Sequence, residues 1–126
     1  MKHNDKRPVF LSLAKIHLPV TAVLSLAHRG TGLALFFLLP VAIYLLDLSL
    51  QSQQGFSQVR QLMFQPVGLS IMIIIAWFFA HHFFAGIRYL LIDVDIGVDA
   101  KASRHSAWLV IASGIVAVLL VALMLR

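Results

Sequence analysis

Three stretches of the 126-residue sequence contain no formally charged side chain, and they constrain the fold more than any other feature. They are residues 30–46, 67–87 and 106–125. Each is close to the roughly 20 apolar residues that cross a bilayer as a helix, and the first is long enough if His28 and Arg29 lie in the headgroup region. Strand periodicity is absent, and the chain is too short for a membrane β-barrel. The sequence therefore predicts an all-α membrane protein with three transmembrane helices.

The intervening polar residues divide the chain, which we interpret as one membrane domain over 1–126. Residues 1–18 are expected to form a cytoplasmic arm and a short amphipathic segment at the inner surface. Proline at the first helical position is favourable, so Pro66 is expected to open the second span. An outer polar connection covers 49–65, and an inner connection covers 93–105. The three spans are predicted at about 21–48, 66–92 and 106–125.

Positive charge is divided unevenly between the two sides of the predicted membrane. The formal net charge is +5, with ten basic and five acidic residues. Eight basic residues lie on one side and two on the other: Lys2, Lys6, Arg7, Lys15, Arg29, Arg88, Lys101 and Arg104 against Arg60 and Arg126. This bias places the N-terminus in the cytoplasm or on the equivalent matrix side, and we expect the membrane to be the bacterial inner membrane. The basic excess thus reports topology and does not indicate binding of nucleic acid.

The chain contains no cysteine and no glutamate. Without cysteine it cannot form disulfides, thiolate-held iron–sulfur clusters or haem attached through a CxxCH motif. A soluble-type active site with paired carboxylates would have only five aspartates available, and three of them cluster in the inner connection.

The second span carries two adjacent histidines, His81 and His82. An ionisable group inside a membrane costs about 3 kcal/mol to place there, so it is a functional candidate. Helical periodicity puts His82 on one stripe with aromatic rings above and small residues below: Phe78, Phe79, Ala85, Gly86 and Tyr89. Such a stripe suits a nitrogen ligand beside a flat macrocycle such as haem. The alternative is that the histidine hydrogen-bonds another helix and that Gly86 marks a close helix contact.

The first span has a polar group at its inner end. Ser25, His28, Arg29 and Gly32 occur at i, i+3, i+4 and i+7, which places them on one helix face. A hydroxyl, an imidazole and a guanidinium together suit an anion such as a haem propionate, or the carbonyl of a quinone. The alternative for Arg29 is that its side chain reaches to anionic lipid headgroups.

Two motifs resemble those of a known family. "RPVFLSLAKIHLPVTAVLSLAHRGTG" (7–32) is similar to the signature of the cytochrome b membrane-anchor subunits of succinate dehydrogenase, respiratory complex II: an RP start, P-x-T, then S-x-x-H-R-x-[ST]-G. The second family motif, H-x-x-x-G-x-R with an aspartate five residues on, matches His82, Gly86, Arg88 and Asp93. The motifs fall on the expected spans, so the resemblance covers nearly the whole chain.

The resemblance implies a role for each site residue. His82 is expected to be one axial ligand of the iron of a haem b, with the second ligand supplied by a partner anchor subunit that completes the helical bundle. Ser25 and Arg29 are expected to bind quinone, and His28 and Arg29 to lie near the haem propionates. Tyr89 departs from the family pattern, in which histidine often follows G-x-R.

The resemblance also implies the partners and the reaction. A flavoprotein and an iron–sulfur subunit are expected on the cytoplasmic face, which agrees with the absence of cysteine here. Succinate oxidation takes place in the flavoprotein, and this chain is expected to help pass the electrons to membrane quinone. The chain is thus interpreted as a subunit of succinate:quinone oxidoreductase embedded in membrane lipid.

Two other functions are compatible with parts of the sequence. A self-contained small cytochrome b would ligate haem with His28 and His82, but this requires similar depths, and His82 is expected about three turns deeper than His28. A non-haem scaffold or transporter would use the histidines to join helices. For transport, the sequence shows neither inverted repeats nor pairs of broken helices.

Overall fold

The computed structural model describes residues 17–124, and every regular element in that range is helical. The four helices are α1 (Val20–Gln51), α2 (Gln53–Phe64), α3 (Pro66–Asp93) and α4 (Ala100–Met124). Three of them, α1, α3 and α4, are long and apolar enough to cross a membrane, which confirms the predicted fold class. The predicted cytoplasmic arm and interfacial segment lie, apart from His17 and Leu18, outside the described residues.

The connection between α1 and α3 is a helix, whereas the sequence predicts a polar loop over residues 49–65. Ser52 ends α1 in an extended conformation, and its hydroxyl accepts a hydrogen bond from the Gly55 N–H at 3.0 Å, which caps α2. At the other end Gln65 is extended, as expected for a residue before proline, and Pro66 opens α3. The missed signal was this serine cap together with the apolar spacing of Val59 and Met63.

Two glycines let α2 lie against the ends of its neighbours. A Cβ at Gly55 would overlap the carbonyl oxygen of Leu48 in α1. A Cβ at Gly68 would overlap the carbonyl oxygen of Leu62 and would lie 2.7 Å from that of Met63. Backbone oxygens at helix ends cannot rotate away as a side chain can, so both turns require the absence of a side chain.

The inner connection between α3 and α4 is short. Asp95 and Gly97 adopt positive φ angles of 61° and 75°, which turn the chain back toward the membrane. The Asp99 carboxylate accepts hydrogen bonds from the backbone N–H groups of Lys101 and Ala102 at 3.1 and 2.9 Å, so α4 begins at Ala100. The helix therefore starts six residues before the predicted span.

The packed interior is small and lies near the end of the bundle where α1 and α4 begin and α3 ends. Leu24 of α1, Ala85 of α3, and Ala107 and Val110 of α4 form its buried cluster. Most large apolar side chains are instead exposed on the helix surfaces; Phe36, for example, is 69% exposed. A single chain with so much apolar surface is suited to lipid and to packing against other membrane helices.

We expect Gly55→Ala and Gly68→Ala to loosen α2, because overpacking of this kind costs about 1–3 kcal/mol. Arg60 is exposed in the middle of α2, so local unfolding should make tryptic cleavage after Arg60 about tenfold faster or more. Gly30→Ala is the matched control, since a Cβ there meets nothing within 4 Å. Equal cleavage rates in all three variants would contradict this account of the turns.

Candidate functional site

His28 of α1 and His82 of α3 meet where these helices cross. Their ring centroids are 4.2 Å apart and the ring planes are inclined by 10°, so the imidazoles stack. Gly32 allows this approach, because a Cβ at that position would lie 2.7 Å from Cε1 of His82. The crossing therefore depends on the last glycine of the S-x-x-H-R-x-[ST]-G sequence.

A hydrogen bond determines which nitrogen of His82 carries the proton. Its Nδ1 lies 3.1 Å from the backbone oxygen of His28. A carbonyl oxygen can only accept, so Nδ1 must donate, and in the neutral imidazole Nε2 then carries the lone pair. Metal-ligating histidines commonly use their second ring nitrogen in this way, which sets both the tautomer and the ring orientation. His82 remains half-buried.

Thr31 supports the same contact between α1 and α3, a role that was not predicted from the sequence. It is buried, and its hydroxyl lies 2.9 Å from the Ala27 oxygen, 3.0 Å from the His28 oxygen and 3.5 Å from Nδ1 of His82. The available signal was its position three residues after His28, on the same helix face.

The expected difference in depth between His28 and His82 is wrong. It rested on placing His28 at the membrane boundary, but α1 already begins at Val20. His28 is eight residues, or about 12 Å, from that end of α1, and His82 is eleven residues, or about 16 Å, from the inner end of α3 at Asp93. The two imidazoles therefore lie at similar depths.

The stacked rings of His28 and His82 nevertheless cannot bind one iron between a nitrogen of the first and a nitrogen of the second. The lone pair of an imidazole nitrogen lies in the ring plane, and parallel stacked rings direct their lone pairs side by side. Two axial ligands must instead point at the metal from opposite sides. The geometry therefore gives no support to a self-contained cytochrome b ligated by His28 and His82.

The small residues below His82 contact α1 and do not form an open platform. Ala85 is completely buried, and a Cβ at Gly86 would lie 3.9 Å from Nε2 of His28. The ring of His28 also lies 5.1 Å from that of Tyr89. The predicted free surface over Ala85 and Gly86 is thus partly covered by α1, although a Cβ at Gly86 would meet His28 only at an ordinary contact distance.

His81 lies on a different side of α3 from its neighbour. It is 3% exposed, its ring stacks on Trp77 at 5.3 Å, and Gly114 of α4 packs against its Cα and Cβ. Its Nε2 is buried without a hydrogen-bond partner among the described residues. His81 therefore belongs to the contact between α3 and α4, away from the stacked pair.

Ser25 and Arg29 lie beside His28 on α1, but they are not joined to α3. Ser25 is half-buried and Arg29 is exposed. Within residues 17–124, neither side chain makes a hydrogen bond. The predicted polar face therefore divides into His28 and Gly32, which pack against α3, and a hydroxyl and a guanidinium that remain accessible next to them.

Arg88, which the sequence analysis noted as part of a motif and as one of the basic residues on the predicted inner side, holds α3 to α4. It is 6% exposed; its Nε donates to the Ser106 hydroxyl at 2.9 Å, and its Nη2 donates to the hydroxyl and backbone oxygen of Ser103 at 2.8 and 3.1 Å. The guanidinium also lies 5.3 Å from the centre of the Tyr89 ring. A buried arginine with these serines on a facing helix could not be identified without the tertiary structure.

The two motifs are contained in a longer family match. Residues 3–121 fit the family described as the succinate dehydrogenase/fumarate reductase transmembrane subunit. The chain belongs to this family. The resemblance seen in the two motifs is therefore confirmed.

Several curated relatives carry the same description, succinate dehydrogenase cytochrome b556 subunit. The protein from Coxiella burnetii is 37% identical over 93% of this chain and 94% of its own length. The protein from Rickettsia felis is 31% identical over 92% and 90% of the two chains. The protein from Paracoccus denitrificans is 25% identical over 90% and 88%. The similarity thus extends across almost the full relatives.

Family membership determines the protein's setting. The chain is a membrane-anchor subunit of complex II and so part of an enzyme complex. Its relatives are bacterial, and three of its helices are apolar enough to cross a membrane. It is therefore a multi-pass protein of the bacterial inner membrane, as predicted.

We expect Arg88→Met to destabilise the subunit by about 2–4 kcal/mol, because hydrogen bonds to a charged group contribute about 1.5–3 kcal/mol each. The measurement is the midpoint of thermal unfolding of the detergent-solubilised complex. Arg60→Met removes an exposed arginine and should leave the midpoint nearly unchanged. If the two variants unfold at the same temperature, Arg88 is not what joins α3 to α4.

Proposed function

We propose that this subunit supplies one axial ligand of a haem b and part of a quinone site, and so helps pass electrons from succinate oxidation to membrane quinone. The observation that carries the proposal is the hydrogen bond from Nδ1 of His82 to the backbone oxygen of His28. It leaves Nε2 of a half-buried imidazole as a free, oriented ligand inside an apolar helix. The names of the relatives, cytochrome b556 subunits, agree with a haem.

His82 fits the role of a haem ligand, and a second ligand must come from elsewhere. His28 faces His82 with its ring plane, and His81 faces α4. Residues 17–124 contain no cluster of three or more histidine, aspartate, cysteine or glutamate side chains that could hold a metal ion. A haem shared with a partner anchor subunit meets this requirement, and the exposed apolar surfaces of α1 offer room for that partner.

When bound, the haem supplies one-electron redox chemistry. The protein's part is to orient the ligand and to balance charge. The Gly32 backbone and the Thr31 hydroxyl hold the His82 imidazole in one orientation, while a hydrogen-bond donor and a permanent cation beside it can interact with the propionates. His28 and Arg29 are the residues we assign to this second role.

Ser25 and Arg29 are assigned to quinone. A quinone needs hydrogen-bond donors at its carbonyl oxygens, which become more negative as the ring is reduced. A guanidinium keeps its charge at any physiological pH, so it can stabilise that negative charge where water is scarce. Ser25 lies one turn nearer the start of α1 and offers a neutral donor. Both side chains are accessible beside the histidine pair, on a surface that a partner subunit can complete.

The remaining partners follow from the reaction. Electrons must come from a flavoprotein that oxidises succinate, through iron–sulfur clusters that this chain cannot hold because it has no cysteine. We assign both soluble subunits to the inner side, where the basic residues concentrate.

His82→Leu should abolish or alter the low-spin haem spectrum of the complex, because leucine has no lone pair for iron. The measurement is the reduced-minus-oxidised absorbance spectrum of purified complex. His81→Leu, at the adjacent position, should leave the ligand set intact. Gly32→Ala should perturb the spectrum, since its methyl would displace the His82 ring, whereas Gly30→Ala should not. An unchanged spectrum in His82→Leu would reassign the ligand, with His81 as the first candidate.

Arg29→Leu should lower quinone reduction about 100-fold or more, on the scale of removing one donor at a developing negative charge. Ser25→Ala should have a milder effect, because one neutral hydrogen bond contributes about 1 kcal/mol. The measurement compares quinone-linked with dye-linked succinate oxidation in the same membranes. Dye reduction, which needs only the soluble subunits, should persist. A parallel loss of both activities would mean that Arg29 maintains assembly and does not act on quinone.

A further inference from the structure

The first turns of α4 have two contrasting faces. Toward α3, Ser103 and Ser106 accept hydrogen bonds from Arg88, and the small residues that follow are buried. On the opposite face, four exposed side chains occur at i, i+3, i+4 and i+7. We call them the α4 outer face: Lys101, Arg104, His105 and Trp108. The contact with Arg88 turns this face away from the bundle.

The α4 outer face lines a groove of about 480 Å³, to which Ala100 also contributes. Its first and last members, Lys101 and Trp108, are seven positions, or about 10 Å, apart along the helix. Within residues 17–124, none of its three basic side chains has a hydrogen bond or an ion pair. The nearest carboxylate in the sequence, Asp99, is engaged with backbone N–H groups as the helix cap. The groove thus holds two permanent positive charges that the described chain does not neutralise.

Its position along α4 corresponds to the membrane boundary. Charged residues precede Trp108, and no charged residue occurs between it and Leu125. Tryptophan is enriched at the level of lipid headgroups, where its ring can be partly apolar and partly hydrated. Lys101 and Arg104, one or two turns before Trp108, are therefore placed among the headgroup phosphates. This placement holds for either orientation of the chain in the membrane.

An apolar strip continues directly from the groove into the membrane. Ala112, Ile115 and Leu119 follow Trp108 on the same side of α4, and all three are exposed. The small side chain of Ala112 lies between two large exposed ones, Trp108 at 58% and Ile115 at 52%. A basic groove at the boundary therefore leads into a track of the kind that an acyl chain can follow.

We infer that the α4 outer face binds an anionic phospholipid, with its phosphate at Lys101 and Arg104, a donor from His105, and one acyl chain along Trp108 and Ala112. Clusters of basic side chains at membrane boundaries attract anionic headgroups with about 1 kcal/mol per charge. A soluble subunit would match the charges but not the apolar strip that continues below them. The observations therefore favour lipid over a docked protein. The inference rests on family membership and the packing of α4, not on the proposed haem and quinone roles.

The test uses the purified, delipidated complex in detergent. It is titrated with dioleoylphosphatidylglycerol and, in a separate series, with dioleoylphosphatidylcholine. Native mass spectrometry counts the bound lipids. Arg104→Gln should weaken phosphatidylglycerol binding about fivefold, and Lys101→Gln with Arg104→Gln about 30-fold, as expected for about 1 kcal/mol per charge. Binding of phosphatidylcholine should change little. Lys101→Arg with Arg104→Lys, which keeps both charges, should bind like the unmodified complex. Arg60→Gln, a matched loss of one exposed charge on another helix, should also have little effect.

Several outcomes would overturn the inference. One is equal weakening by Arg104→Gln and Arg60→Gln, which would indicate only general charge attraction. Another is unchanged lipid binding with loss of the soluble subunits from the double variant, which would make this face a protein-docking surface. Displacement of phosphatidylglycerol by inorganic phosphate at equal concentration would show an anion site without a lipid track. If the double variant fails to assemble, the comparison of Arg104→Gln with Arg60→Gln decides whether the groove binds the lipid. The haem spectrum should be unchanged throughout, which separates this test from that of His82.

Discussion

The hydrogen bond from Nδ1 of His82 to the backbone oxygen of His28 is the interaction on which the site depends. Inside a membrane, apolar side chains gain little from preferring each other to lipid, so polar contacts and close backbone approach decide how helices pack. Here one hydrogen bond has two effects. It joins α1 to α3, and it sets the tautomer of the His82 imidazole. Gly32 permits the approach, and Thr31 lies beside it.

A second polar contact orients α4 in the same bundle. Arg88 is buried, and the hydrogen-bond partners that the structure gives it are serine hydroxyls and a backbone oxygen. Removing such a group from water is costly unless its donors are satisfied, so the two serines determine the rotation of α4. That rotation exposes the basic groove on the opposite face and brings Gly114 against His81. One contact thus connects the packing of the bundle with the surface that meets the lipid.

Two polar groups of α1 remain accessible beside the histidine pair. Ser25 and Arg29 lie next to the stacked histidines without partners of their own in the described chain, while much of α1 remains apolar and exposed. Under the proposed function, an isolated subunit would hold only half of the site. The arrangement is suited to a complex in which neighbouring chains supply the second iron ligand and the remainder of the quinone pocket.

The sequence by itself determined the number and location of the membrane helices, because hydrocarbon requires long apolar segments with internally satisfied backbones. It also identified the family and singled out His82, since an imidazole and two motifs stand out in so apolar a chain. Helix α2 and the early start of α4 were missed, although Ser52 and Asp99 signalled both caps. The tertiary structure alone decided that His28 stacks on His82, that α1 occupies the surface over Ala85 and Gly86, and that Arg88 bonds to α4. These are contacts between residues at least 15 positions apart, and periodicity along one helix contains no information on which faces of different helices meet.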